Sequence, residues 1–302
     1  MNLPLPEGFR INAPVTQALE AGRPLVALES TVLTHGLPYP QNLELARQME
    51  AEVTAHGAQP ATIAVLDGQV VIGATAEQLA WLVMAPGLHK ISSRDLSAAI
   101  SLRWSGGTTV AGTMVAAHRA GIRVFATGGI GGVHREAPFD ISADLPQLAA
   151  TPLIVVCAGA KAILDIPATL EYLETAAVPV VGYRTDEFPA FYSRESGLPV
   201  SARADSPGEI AALAWSHWSL GMHGSVLVVN PPPIEAALPV ENVEGASRLA
   251  LLDAHQANIT GQNVTPFLLE RVNQLTGGAS MQANLALLLN NARLAAEIAR
   301  VL

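Results

Sequence analysis

The sequence is poor in several kinds of residue, and each shortage excludes a class of protein. Of its 302 residues only 14% are charged, 5% are aromatic and one is a cysteine. A single cysteine excludes an internal disulfide, and because Cys157 lies inside an apolar run we expect it to be a small core residue. No apolar run approaches the ~18 residues of a membrane-spanning helix, so we expect no membrane partner.

Basic residues are also scarce. The chain has 17 of them against 26 acidic residues, a formal net charge of −9. This balance disfavours binding to nucleic-acid polymers, but it allows a phosphorylated small molecule, which needs only a local group of donors. The N-terminal residues contain no basic segment followed by an apolar one, so we expect no secretion signal and a cytoplasmic protein.

Short apolar runs alternate with helical patterns along almost the whole chain. The strand candidates are PLVAL, TIAVL, RVFAT, PLIVV, PVVGY and SVLVV. This alternation predicts an α/β protein with a mostly parallel sheet covered by helices on both faces. The dipeptide Asp67-Gly68, between TIAVL and QVVIG, predicts a hairpin.

Polar side chains follow several of these strands. Glu29 comes directly after PLVAL, and Lys161 follows the run PLIVVCAGA among residues with little side-chain bulk. Ligands of parallel sheets bind beyond the carboxyl ends of the strands, so we expect these side chains to share one pocket. Burial there would favour the neutral amine of Lys161, which can attack a carbonyl or anomeric carbon. The alternative is a lysine whose ammonium reaches solvent from a strand end.

A glycine-rich segment, Gly106-Gly107-Thr108-Thr109, precedes a helical pattern. Free amides at a helix start, together with two hydroxyls, favour a bound phosphate. A helix cap with closely packed glycines is an equally open interpretation. The other glycine loop, GGIGGVHR, does not open a helix, which argues against a dinucleotide-binding motif.

Two carboxylates, Asp140 and Asp144, lie four residues apart in FDISADL. If they share a helix face they suit Mg²⁺ or Mn²⁺ held by few protein ligands, whereas a turn with an aspartate at a helix N-cap is the alternative. Lys90 either pairs with phosphate or lies at the surface. Asn284, inside an apolar helical stretch, is either a hydrogen-bond node or a ligand contact.

Taken together, several segments resemble, in order and spacing, those of the pseudouridine-5′-phosphate glycosidases, the indigoidine synthase A-like family. The resemblance extends over roughly residues 8–302. The segments are ALESTVLTHGLPYPQNLE, GGTTVAGTM, RVFATGGIGGVHR, FDISADL, VVCAGAKAILDIPATLEYLET, GYRTDEFPAFYSRESGLPV, NPPP, TPFLLERVNQLTGG and ANLALLLNNA.

This resemblance implies an enzyme that reversibly cleaves pseudouridine 5′-phosphate to uracil and ribose 5-phosphate. It implies a single domain over residues 1–302 with a three-layer α/β/α fold and a mostly parallel central sheet. It also implies a homotrimer that binds one divalent ion, typically Mn²⁺, with Mg²⁺ or another divalent metal as an alternative. It makes Lys161 the nucleophile that bonds to C1′ of the ribose, Glu29 the proton donor and Asp140 the metal ligand. The substrate-binding residues expected from the family and from the glycine segment are Lys90, Thr108, Thr109, Val110, His134, Ser142, Ala143, Asp144 and Asn284.

The sequence departs from the family pattern at a few positions. Arg184 stands where a glycine is expected, Glu136 and Ala137 replace glycine-rich residues, and Gln262 replaces a common lysine. We expect Arg184 to affect the pocket rim. Two other functions stay open at this point: a Schiff-base lyase that acts on another sugar phosphate, and a non-catalytic protein that binds sugar phosphates or nucleotides.

Overall fold

The computed structural model describes residues 5–135, 137–259 and 264–302. Two of the departures from the family pattern, Glu136 and Gln262, lie outside these residues. Within them, strands are interspersed with helices up to the last strand, although several strands follow one another directly, and the described elements after the last strand are helices.

The strands have the following bounds: β1 (Phe9–Ile11), β2 (Leu25–Leu28), β3 (Gln59–Leu66), β4 (Gln69–Ile72), β5 (His89–Ile91), β6 (Gly106–Thr108), β7 (Val124–Ala126), β8 (Val133–His134), β9 (Ala137–Ile141), β10 (Ile154–Cys157), β11 (Leu164–Asp165), β12 (Val180–Tyr183), β13 (Ala202–Ala204) and β14 (Val226–Val229).

The helices are α1 (Ala13–Glu20), α2 (Gln41–Ala55), α3 (Ala76–Met84), α4 (Leu96–Ser101), α5 (Val110–Arg119), α6 (Asp144–Ala150), α7 (Ile166–Thr175), α8 (Pro207–Ser219), α9 (Val240–Gln256), α10 (Val264–Leu275) and α11 (Ala279–Ala299). A π-helix at Val32–Gly36 follows β2, and a 3₁₀ turn at Ser93–Asp95 precedes α4.

The main sheet has the strand order β1-β4-β3-β2-β7-β10-β14-β12-β13. In this spatial order, each pair of neighbouring strands from β3 to β13 is parallel. Strands β4 and β6 both pair with β3 in the antiparallel direction. Helices flank this sheet; α11 packs against β2, β7 and β10. The predicted three-layer α/β/α class with a mostly parallel central sheet is therefore confirmed.

The predicted hairpin is also confirmed. Strands β3 and β4 pair antiparallel, with Leu66 opposite Gln69. The two turn residues have positive φ, 50° for Asp67 and 77° for Gly68. A turn of this kind matches the twist of the flanking strands, and aspartate and glycine adopt it at little cost.

The middle strands of the sheet form the core. Every residue of β2, β10 and β14 is buried, which is why these strands read as continuous apolar runs. Cys157, at the end of β10, is fully buried, and burial raises the pKa of its thiol to about 12. Among the described helices, none is both long and apolar enough to cross a membrane.

The sheet order determines where the polar residues gather. Strands β2, β7, β10 and β14 are consecutive parallel neighbours. Glu29, Thr127 and Asn230 each come directly after one of these strands, and Lys161 follows β10 after a short loop. All four therefore lie at the same carboxyl edge of the sheet.

Candidate active site

A cavity of about 510 Å³ opens at this carboxyl edge. Glu29, Lys90 and Lys161 line its inner part, next to the backbone of Gly128 and Gly129. Helices α10 and α11 also line it with both polar and apolar side chains: Thr265, Pro266, Leu269, Glu270, Asn273, Gln274, Ser280, Met281, Asn284 and Leu288. The cavity lining therefore combines ionisable groups with a mixed polar and apolar surface.

Glu29 is a buried carboxyl held at the end of β2. The next residue, Ser30, donates to the carbonyl of Ile63 at 2.6 Å and accepts from the amide of Thr108 at 3.0 Å, which ties the end of β2 to β3 and β6. Thr127 donates its hydroxyl hydrogen to Oε1 of Glu29. Burial raises the pKa of the Glu29 carboxyl, against the opposing effects of Lys161 and Thr127.

Lys161 stands in a tight loop after β10. Its amide donates to the carbonyl of Ile130 at 3.1 Å, and its carbonyl accepts from the amide of Leu164 at 3.0 Å. The loop passes close to its neighbours at Gly159, where φ is +92° and a β-carbon would collide with the carbonyl oxygen of Pro189. Both conditions require glycine there. Lys161 is half-buried and its side chain faces the cavity, which favours the pocket interpretation over a lysine that only reaches solvent.

The guanidinium group of Arg135 stabilises the loop that carries Lys161. Arg135 donates to the carbonyls of Ala162 and Leu164 at 3.2 and 3.1 Å. It also makes two hydrogen bonds to the carboxylate of Glu244 on α9, at 2.8 and 2.6 Å. The segment that carries Lys161 is thus tied both to strand β8 and to α9.

Lys90 on β5 is the second amine of the cavity. Burial lowers the pKa of Lys90 and the nearby Lys161 lowers it further, while Asp144 and Glu29 oppose this change. His35, from the π-helix, also lines the cavity, and its pKa is lowered by burial and by Lys90. Glu29, Lys90, Lys161 and Asp144 therefore form one group of interacting charges.

Asp144 is buried and its carboxylate is used internally. One oxygen accepts from the amide of Ala111 at 2.9 Å and the other from that of Gly131 at 2.8 Å. Its own amide donates to the hydroxyl of Ser142 at 3.3 Å. Asp144 therefore joins the start of α5, which begins at the buried Val110, to the glycine loop after β7. Ala143, between Ser142 and Asp144 in the sequence, is the residue before α6.

The hydroxyls of Thr108 and Thr109 are also used internally. Thr108 is fully buried; it donates to the carbonyl of Ile63 at 2.8 Å and lies 2.8 Å from the hydroxyl of Thr113. Thr109 is the N-cap of α5 and accepts from the amide of Gly112 at 3.3 Å. Thr109 therefore caps α5 by accepting a hydrogen bond, which leaves its own hydroxyl hydrogen available to a ligand. The predicted contact of Thr108 and Thr109 with the substrate stays a prediction.

Of the remaining predicted site residues, Asn284 lines the cavity, whereas His134 and Asp140 are not among its described lining residues. Asn284 lines the cavity from α11, as the sequence interpretation of a ligand contact requires. His134 lies on β8, half-buried and paired with Leu164. Asp140 is exposed on β9, whereas Asp144 begins α6, so the two carboxylates do not share a helix face. The strand-to-helix change between them falls at Ser142 and Ala143.

Some strand-end residues serve the structure instead. Asp186 pairs with Arg203 at 2.8 Å, and Glu187 accepts from the amide of Gly197 at 2.9 Å. Arg184 has φ of 55°, in the region that favours the glycine expected there, and its guanidinium lies over the ring of Tyr183. Among the described residues the cavity lining does not include Arg184, so the expected effect on the pocket rim finds no support.

Sequence reasoning overlooked several residues of the site. Thr127 closes the strand candidate RVFAT; the observed strand ends one residue earlier, so Thr127 follows it directly, the same signal that singles out Glu29. The cavity lining from α10, including Asn273 and Gln274, carries no local motif. Its place in the cavity follows from the packing of α10 against α9 and α11, which periodicity does not specify.

The family model described as indigoidine synthase A like protein matches residues 14–301. A pseudouridine-5′-phosphate glycosidase of Methylobacterium nodulans is 56% identical over 287 residues, which cover 94% of this chain and 85% of that protein. One of Solibacter usitatus is 53% identical over 293 residues, covering 96% and 98%.

Two solved structures have the same fold. An indigoidine synthase A-like protein from Thermotoga maritima superposes with a TM-score of 0.89 at 36% identity, covering 97% of this chain and 95% of that one. The prealnumycin C-glycosynthase AlnA, in complex with ribulose 5-phosphate, superposes with a TM-score of 0.90 at 41% identity, covering 98% and 97%.

Proposed function

This chain belongs to the indigoidine synthase A-like family, and we propose that it is a C-glycosidase that reversibly cleaves pseudouridine 5′-phosphate to uracil and ribose 5-phosphate. The observation that carries the proposal is the meeting of a buried carboxyl, Glu29, and an amine, Lys161, in one cavity. The relatives named for this activity match almost the whole chain, and AlnA, which is named for C-glycoside synthesis, holds a pentose phosphate.

The substrate bond explains why an amine is needed. Ordinary glycosidases protonate the oxygen of their leaving group with one carboxyl and use a second as base or nucleophile. In pseudouridine 5′-phosphate the ribose is joined to a ring carbon, which offers no oxygen lone pair to protonate. A lysine bonded to C1′ supplies a nitrogen lone pair that can expel that carbon.

We propose the following sequence at the inner end of the cavity. Glu29 donates its proton to the ring oxygen O4′ as the C1′–O4′ bond breaks, and the nitrogen lone pair of Lys161 adds to C1′. The added nitrogen loses a proton, uracil C5 gains one, and the C1′–C5 bond breaks as the nitrogen lone pair forms an iminium. Water then hydrolyses the iminium, which releases ribose 5-phosphate and the free amine of Lys161.

The same geometry supports roles for the surrounding residues. Lys90 lies close enough to Lys161 and Glu29 to interact with both, and its ammonium suits the phosphate of the substrate. Asn284 faces the cavity with an amide that can pair with a uracil edge. Asp144, with both oxygens on backbone amides, shapes the substrate site through α5 and the glycine loop.

Asp140 is the proposed metal ligand. The described residues contain no cluster of three or more histidine, cysteine, aspartate or glutamate side chains suited to a metal. An exposed single carboxylate fits Mn²⁺ or Mg²⁺, because such ions often keep several waters and bind one protein carboxylate together with substrate phosphate. Bound there, the ion would neutralise negative charge on the substrate.

Assembly and location complete the proposal. The homotrimer is proposed from the family resemblance alone. A cytoplasmic setting is supported by the single buried thiol, which needs no oxidising compartment.

The proposal predicts metal-dependent uracil release. The purified protein incubated with pseudouridine 5′-phosphate and Mn²⁺ is expected to produce free uracil, measured by chromatography, and a chelator is expected to suppress it until Mn²⁺ is restored in excess. Asp140→Asn is expected to need a higher Mn²⁺ concentration for the same rate. A protein that forms no uracil with any divalent metal would contradict the proposed activity, and unchanged rates in chelator would contradict the metal requirement.

A further inference from the structure

A network of buried polar groups lies behind Glu29. Thr127, at the end of β7, is fully buried and donates its hydroxyl hydrogen to Oε1 of Glu29 across 98 residues of sequence. Its backbone amide donates to the carbonyl of Val156 at 3.0 Å, in continuation of the sheet. The hydroxyl is therefore presented to the carboxyl from a rigid strand end.

A side chain of α11 holds the backbone at this position. Asn291, also fully buried, donates to the carbonyl of Thr127 at 2.9 Å and more weakly to that of Gly128 at 3.4 Å. The side-chain carbonyl of Asn291 accepts a hydrogen bond from the side-chain amide of Asn230 at 3.1 Å. The ends of β7 and β14 are thus linked through α11, and a buried, fully used amide of this kind restricts the position of its partners.

The groups that face Glu29 come from several elements. Lys161 follows β10, Lys90 lies on β5, and Asp144 begins α6. Burial and Asp144 raise the pKa of Glu29, while the two lysines and Thr127 lower it. Of these groups, Thr127 is the one that gives Glu29 a side-chain hydrogen bond.

We propose that Thr127 is a positioning residue for the proton donor Glu29: its hydroxyl orients the carboxyl toward the substrate and stabilises the carboxylate that remains when the proton has left. The inference rests on the proposed function for the identity of the proton acceptor, but not for the contact itself. Asn291 supports the role by holding the Thr127 backbone in place.

The hydrogen bond from Thr127 makes Glu29 a stronger acid and holds its carboxyl in one orientation. As Glu29 transfers its proton to O4′ of the substrate, negative charge develops on its oxygens. A donated hydrogen bond is stronger to a charged oxygen than to a neutral one, so Thr127 stabilises the product of the transfer more than the reactant. Without that hydroxyl, Glu29 would be both less well oriented and a weaker acid.

Thr127→Val tests this role because valine keeps the shape and removes the hydroxyl. We expect kcat for uracil release to fall by about 10- to 100-fold with KM changed less than about threefold, and the alkaline limb of the pH profile to move to higher pH. Thr127→Ser restores the hydroxyl and is expected to recover most of kcat and the original limb.

The chain offers a matched control in Thr62→Val. Thr62 is also buried and donates at 2.6 Å to Glu50, a carboxyl whose pKa burial raises, but neither residue lines the cavity. This control is expected to keep the wild-type kcat and pH profile. If Thr127→Val keeps both as well, or if Thr127→Ser loses as much activity as Thr127→Val, the proposed role is wrong and Thr127 only fills space.

A second readout is independent of any substrate. Carbon-13 NMR of labelled glutamate carboxyls, with the Glu29 signal assigned by its loss in Glu29→Gln, is expected to show Glu29 titrating at higher pH in Thr127→Val than in the wild type. An unchanged titration would overturn the inference. If the wild-type protein released no uracil, the proposed function would fail, while this titration would still decide whether Thr127 controls the acidity of Glu29.

Discussion

Replacing Lys161 by alanine is expected to lower the rate of uracil release from pseudouridine 5′-phosphate by about 10⁴-fold or more. The reason is that no other group in the proposed reaction supplies the lone pair that expels the uracil carbon. The side chain faces the cavity from a loop held by backbone hydrogen bonds, so its loss removes the nucleophile without removing a core contact. The rate is measured by chromatography of free uracil in single-turnover reactions.

Lys90→Ala is the matched control for this variant. Lys90 is the other lysine of the same cavity, and the proposal gives it phosphate binding rather than bond formation. Its loss is expected to raise KM far more than it lowers kcat. Appreciable glycosidase activity in Lys161→Ala, or an equal loss of kcat in both variants, would contradict the covalent role of Lys161.

Glu29→Gln is expected to lower kcat by about 10²- to 10⁴-fold, the usual contribution of one acid–base group. Because burial raises the pKa of Glu29, its proton is retained to higher pH than in an ordinary glutamate, and kcat should fall only as the pH rises through that raised value. Glutamine cannot donate that proton, so the alkaline limb assigned to Glu29 should be absent from the variant. A variant with the full wild-type rate and the same limb would show that another group is the acid.

The same substitution has a predictable effect on stability. A carboxyl with a raised pKa in the folded protein binds more protons there than in the unfolded chain, at pH values between the two pKa values. Its contribution to the free energy of unfolding therefore declines as the pH rises through this window. Glu29→Gln should remove that decline and have a higher Tm than the wild type at neutral pH in calorimetry, which would also show that lost activity does not come from unfolding.

Much of the fold could be predicted because it is specified locally. Strands β2, β10 and β14 are buried on both faces and read as continuous apolar runs, and Asp67-Gly68 carries the turn chemistry of the hairpin. The position of Glu29 after such a strand followed from a general property of parallel sheets. The structure brings Glu29 and Lys161 to one cavity for that reason.

Other parts of the site depend on packing between distant segments. Thr127 meets Glu29 across 98 residues, and Asn291 reaches the same strand end from 164 residues away. Four-residue spacing suggested a shared face for Asp140 and Asp144, but a strand ends and a helix begins between them. The sequence segment around Thr108 and Thr109 suits a phosphate or a cap; the structure shows the cap bond of Thr109 and the contact of Thr108 with β3, and the phosphate contact stays a prediction.

The most direct test of the account is to trap the covalent intermediate. The wild-type protein would be treated with pseudouridine 5′-phosphate, Mn²⁺ and a borohydride reductant, then digested and examined by mass spectrometry beside Lys161→Ala. We expect the peptide containing Lys161 to gain the mass of ribose 5-phosphate less one oxygen, and the variant to gain none. Uracil release by the wild type with no adduct on Lys161, or with the adduct on another lysine, would contradict it.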